Sequence, residues 1–178
     1  SPGDPGTWSL QVDARFGDRQ GLLNLDLLHN LGRYRAAPDI GSRIRSHGWH
    51  GNVVLYREGV VSSVDRLSLP GLEPRGAIVV DLDLNNISLR VIAAHLGLLR
   101  RSRAQQVSMI LNAAQPSDGR PVIVMGDMNE WRMNGRSSLE MFSPHLTNVS
   151  AAVASFPSRF PIWPLHPVLV SNNISTPE

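Results

Sequence analysis

From Pro121 to Gly126 the chain reads Pro-Val-Ile-Val-Met-Gly, six residues without a polar side chain. A strand with one face in water alternates apolar and polar residues, so a short run that is apolar throughout suits a strand covered on both faces. Three upstream runs, 60–67, 76–84 and 87–94, combine β-branched residues with partial alternation, and Asn85-Asn86 between the last two is a tight hairpin turn signal. Residues 52–57 and 167–171 read as further strands. Between His95 and Asp127 the spacing predicts a helix over 101–114, with Val107, Ile110, Leu111 and Ala114 on one face, broken by Gln115-Pro-Ser-Asp-Gly-Arg. A second short helix is predicted over 21–32, where leucines line a broad face. The rest of the first fifty and final forty residues read as polar loops, among them a basic, His-containing loop over 41–51. Strands with helices between them predict layered sheets flanked by helices, an α/β (α+β) fold in a single domain over 1–178.

Composition allows this. The chain is 42% hydrophobic and 18% charged, which separates it from disordered sequences, and 178 residues suffice for one core. All 17 basic residues are Arg, yet the net charge is only +2. Guanidinium forks suit phosphate, but codon bias in a GC-rich genome accounts for the absence of Lys, and so small a charge does not argue for sequence-independent nucleic-acid binding. The lack of Cys excludes disulfides, thiolate metal sites and a cysteine nucleophile. The opening Ser1-Pro-Gly-Asp-Pro-Gly does not read as a signal peptide, and no segment reads as a transmembrane span, so a cytoplasmic location is expected.

Two strand ends carry chemistry. Val122-Ile-Val-Met-Gly-Asp-Met-Asn-Glu-Trp presents Asp127 and Asn129 with one residue between them. On an extended chain they point the same way and offer a carboxylate and a carboxamide to one metal ion or phosphate; as common turn formers they equally suit a simple turn. His95 ends the strand Leu89-Arg-Val-Ile-Ala-Ala-His. It suits a general acid or a phosphoryl contact, or else a hydrogen-bonded structural histidine.

Taken in order, these segments resemble the endonuclease/exonuclease/phosphatase family. The likeness rests on Leu10-Gln11-Val12-Asp13, Gly51-Asn52-Val-Val-Leu, His95-Leu-Gly-Leu, Gly126-Asp-Met-Asn-Glu-Trp131 and Ser155-Phe-Pro-Ser through Pro164-Leu-His166. It implies a DNase I-like two-layer β-sandwich flanked by helices, and phosphodiester or phosphomonoester hydrolysis aided by Mg²⁺ or Mn²⁺. Carried over, His95, Asp127 and Asn129 are catalytic, Asp127 and Asn129 hold the metal, and Asn52 and Arg103 contact a phosphate-ester substrate, either nucleic acid or a phospholipid head group.

The chain also departs from the family pattern. The metal-binding Glu expected between Gln11 and Val12 is absent, Pro164-Leu-His166 stands where the family has Pro-Leu-Asp, and the closing Ser-Asp-His is not found. The first and last family strands are expected to be missing, the metal weakly bound if at all, and activity impaired or lost. The alternative is a non-catalytic phosphate- or nucleic-acid-binding remnant in which Arg100, Arg101, Arg103 or the Arg43/Arg45 loop contact anions, although a solvated helix face is the favoured account of these arginines. Substrate identity and oligomeric state stay open.

Overall fold

The computed structural model describes residues 7–11 (backbone), 30, 32–33, 35–37, 49–129, 137–149 and 167–171. They form two sheets. In the smaller, β3 (Asn52–Tyr56) lies between β1 (Thr7–Gln11) and β2 (Arg35–Ala36), antiparallel to both. The larger has the order β4 (Val60–Leu69), β5 (Arg75–Leu84), β6 (Ile87–His95), β7 (Val122–Asp127), β9 (Val168–Ser171), β8 (Leu146–Asn148). All its pairings are antiparallel except β6 with β7, which are joined by α1 (Arg100–Ala113). A parallel pair needs such a crossover. A 3₁₀ turn over Ser138–Phe142 packs beside α1.

Strand parity explains the apolar runs. One face of the larger sheet, through Ala77, Val79, Ile92, Ala94, Val122 and Val124, meets Val107 and Ile110 of α1 together with Phe142. The other face, through Ile78, Val80, Val91 and Ala93, meets Val54 and Ala37 of the smaller sheet. β5, β6 and β7 are thus the middle layer, with no solvent side on which a polar residue would be favoured. The β5–β6 hairpin turns at Asn85 and Asn86, with φ of 43° and 73°, as a two-residue turn of the primed type requires.

The predicted strands between 52 and 127, the helix after His95 and the strand at 167–171 are present within one or two residues of expectation. Three features differ. Thr7–Gln11 is a strand where loops were expected, because pairing with β3 sustains a segment too short to show a period. Leu146–Asn148 is likewise a strand, paired to β9, in a tail expected to be loop. The buried face of α1 includes Arg103 and Gln106 as well as its apolar residues. The helix expected over 21–32 lies outside the described residues except Asn30 and Gly32, which are helical. Also outside are Arg43, Arg45, Glu130, Trp131 and the 155–166 segment.

Candidate active site

Sheet register brings the candidate residues to one end of the gap between the sheets. Gly76 of β5 lies opposite His95 of β6, and His95 lies beside Asp127 of β7. All three share parity with the residues that face the smaller sheet, as does Asn52 at the start of β3, two residues before Val54. The Asn52 amide nitrogen donates to the Gly76 carbonyl at 3.0 Å and to that of Trp49 at 3.2 Å, tying the two sheets together at this end. Asn52 is 2% exposed, and its amide oxygen is buried without a hydrogen-bond partner among the described residues. The backbone register sets Gln11, the last residue of β1, opposite Asn52.

His95 and Asp127 end their strands as expected, and Asp127 Oδ2 is 3.9 Å from His95 Nε2. That separation is beyond a hydrogen bond and is one that an intervening oxygen would bridge. After Asp127 the chain does not stay extended. Asn129 takes a left-handed φ of 46°, and its backbone N–H donates to Asp127 Oδ1 at 2.9 Å, closing an Asx turn. The expectation that alternation aims both side chains the same way is therefore corrected. Asn129 is buried, and its Nδ2 donates to the Leu96 carbonyl at 2.7 Å, locking the ends of β6 and β7 together. One carboxylate oxygen is thus held by the turn, while the other faces the imidazole.

Sequence reasoning missed Arg75. Its Nη1 lies 2.6 Å from His95 Nε2 and 3.0 Å from Nδ1, while Nε and Nη2 both donate to Glu73 Oε2, at 3.0 and 2.6 Å. A guanidinium only donates, so at most one ring nitrogen accepts from it. Which of the two accepts is set by the tautomer of His95. Read alone, Glu73-Pro-Arg75 looks like a charged turn. The available signal was register: eight residues back from Leu84 and eight on from Ile87 the hairpin reaches Gly76 and His95, with Arg75 adjoining.

Arg103 has a different setting from the one expected. It is 4% exposed and donates to the carbonyls of Gly97, at 3.2 Å, and Leu98, and to Ser138 Oγ at 3.3 Å. These contacts fasten the β6–α1 turn and the 3₁₀ turn to the helix, so the guanidinium expected at the substrate is employed in structure.

The family's divalent ion can be tested against the donors present. Asp127 Oδ2 is a hard anionic oxygen, and Asn129 keeps its amide oxygen because Nδ2 is the atom committed to Leu96. Mg²⁺ takes one or two protein carboxylates and completes its shell with water and substrate phosphate, so the pair fits in kind. Among the described residues no three of His, Asp and Glu cluster as ligands.

The sequence matches the endonuclease/exonuclease/phosphatase family over residues 11–168. It is 31% identical to the uncharacterized protein YbhP of Escherichia coli K12 over 133 residues, covering 70% of this chain and 53% of that protein. The chain thus spans about half the length of the curated relatives it matches. In structure it is similar to the human Nocturnin catalytic domain (18% identity, TM-score 0.64, 94% of this chain and 70% of that one). It is also similar to a family protein from Leptotrichia buccalis (15%, 0.66, 96% and 76%) and to a mannosyl-6-phosphatase of Bacteroides thetaiotaomicron (13%, 0.61, 84% and 68%). At these identities the likeness is one of overall fold. With that architecture and the match over residues 11–168, the chain belongs to the endonuclease/exonuclease/phosphatase family.

Proposed function

We propose that this chain carries the core of a divalent-metal-assisted phosphoester hydrolase, working at reduced rate. One observation supports this above the rest: a guanidinium, an imidazole and a carboxylate, from Arg75, His95 and Asp127, stand side by side on three adjacent strand ends. Attack of water on a phosphate ester needs those three services: a cation for the phosphoryl oxygens, a base for the water and an acid for the departing oxygen. Asp127, fixed through Oδ1 by the Asn129 backbone, leaves Oδ2 to accept the proton of the water. Arg75 grips phosphoryl oxygens, and His95 between the two delivers a proton to the leaving oxygen. Asn129 positions Asp127, and Asn52 holds the neighbouring sheet end in place. When bound at Asp127 and Asn129, Mg²⁺ or Mn²⁺ would polarise the phosphoryl group and, by occupying Oδ2, would itself acidify the attacking water in place of the carboxylate.

The test is hydrolysis of bis-p-nitrophenyl phosphate and p-nitrophenyl phosphate with Mg²⁺ or Mn²⁺, against chelated controls and an Asp127→Ala, Asn129→Ala variant. Turnover that needs the ion and vanishes in the folded variant supports the hydrolase. A wild type no faster than the variant removes it. That outcome would favour a phosphate-binding domain without turnover, a reading supported by the sparse ligand set among the described residues.

A further inference from the structure

The turn between β4 and β5 and the turn between β6 and α1 enclose a cleft of about 270 Å³ whose lining includes Leu72, Glu73, Leu98, Leu99, Ser102 and Gln106. Leu72 is 89% exposed, Leu98 48% and Leu99 53%. A single exposed leucine is ordinary; three around one cleft, from turns distant in sequence, form a patch. The patch is held open. Gln106, fully buried, accepts from the Gly97 N–H at 2.8 Å and donates to the Pro70 carbonyl at 2.7 Å, so one side chain staples both turns.

Charge adjoins it. Arg100 and Arg101 follow Leu99 on the first turn of α1, which carries no acidic residue; both are exposed, and neither makes an ion pair or hydrogen bond among the described residues. The one carboxylate lining the cleft, Glu73, is paired with Arg75, and Arg75 touches His95. The cleft therefore lies at the same end of the larger sheet as the candidate active site, on its α1 side. Leucines next to uncommitted guanidinium groups match a lipid–water interface, where acyl chains accept the first and head-group phosphates the second. A groove for single-stranded nucleic acid would instead offer aromatic platforms, and among the described residues no aromatic side chain lines this cleft.

We propose that these two turns dock on a bilayer bearing anionic phospholipid and present a lipid head-group phosphoester to the site. The docking stands on the patch itself, while the choice of substrate rests on the hydrolase reading above.

The experiment is co-sedimentation with phosphatidylglycerol vesicles and with phosphatidylcholine vesicles, using wild type, Leu72→Ser/Leu99→Ser and Arg100→Gln/Arg101→Gln, with hydrolysis of bis-p-nitrophenyl phosphate measured in parallel. Wild type should pellet with the anionic vesicles only. Affinity should fall about fivefold for each arginine removed and on the order of tenfold for the leucine pair, while all three proteins hydrolyse the soluble ester alike. Equal partition between the two lipids, no pelleting, pelleting without vesicles, or undiminished binding by both variants would overturn the docking. Binding without soluble turnover would support the docking edge and remove the substrate assignment along with the hydrolase; turnover without binding would overturn this proposal alone.

Discussion

Gly126 makes the juxtaposition of His95 and Asp127 possible. Its φ is +135°, and a β-carbon there would collide with the carbonyl of Ala94 on the adjoining strand. Since neither backbone can retreat without breaking the β6–β7 pairing, Gly126→Ala should cost about 3 kcal/mol or more. A urea melt would read this, and a loss under 1 kcal/mol would mean that the strand ends are more yielding than the close approach implies. Arg75 is a matter of function. Lysine keeps the charge but cannot reach both a phosphoryl group and His95 from one planar fork, so Arg75→Lys should behave nearly as Arg75→Ala. Both should lower kcat/KM by roughly 10- to 100-fold and weaken inhibition by inorganic phosphate in parallel. Unchanged phosphate inhibition, with the fold intact, would confine Arg75 to supporting His95.

The hairpin of β5 and β6 sets this register, and its turn leaves room for improvement. Both turn residues sit at positive φ, where asparagine is tolerated and glycine costs nothing. Asn86→Gly should therefore raise stability by about 0.5–1 kcal/mol in the same urea experiment, without altering the soluble-ester rate. This hairpin also shows what was legible in the sequence and what was not. The strands of the middle layer were readable because burial on both faces leaves an apolar stretch in each, 77–80, 91–94 and 122–125, and His95 and Asp127 were readable because each is the first ionisable residue after such a stretch. The contacts that join those ends were not. Arg75 meets His95 across the sheet from twenty residues away, and Gln106 and Arg103 turn their polar groups inward toward backbone groups of loops that carry no periodic signal. Strands β1 and β8 are too short to announce themselves and exist through their partners. The bend at Asn129 was decided by a backbone N–H reaching Asp127, which spacing alone left undetermined.

At the scale of the molecule, one carboxylate far from the candidate site joins three parts of the fold. Asp81 of β5 is buried and receives a two-pronged contact from Arg90 of β6, Nε to Oδ1 at 2.7 Å and Nη2 to Oδ2 at 2.8 Å. Arg90 Nη1 also donates to the Ala113 carbonyl at the end of α1, and Arg120, ahead of β7, approaches Asp81 Oδ2 at 3.1 Å. Hairpin, helix end and crossover return thus converge on Asp81, and removing it would leave a partly buried arginine without its partner. Asp81→Ala should cost about 3–5 kcal/mol. The Arg90 hydrogen bonds hold the Asp81 carboxyl below its ordinary value of 3.8; burial opposes them, while Ser63 and the charges of Arg90 and Arg120 assist. A carboxyl with a lowered native pKa binds protons more readily in the unfolded chain. Its contribution is therefore complete above the ordinary value and is lost as pH falls through the native one. The stability gap between wild type and Asp81→Ala should stay constant from about pH 8 to pH 5 and narrow steadily below about pH 4. Urea melts across that range would check it, and a gap that persisted undiminished into strong acid would show that Asp81 contributes through packing rather than through its charge.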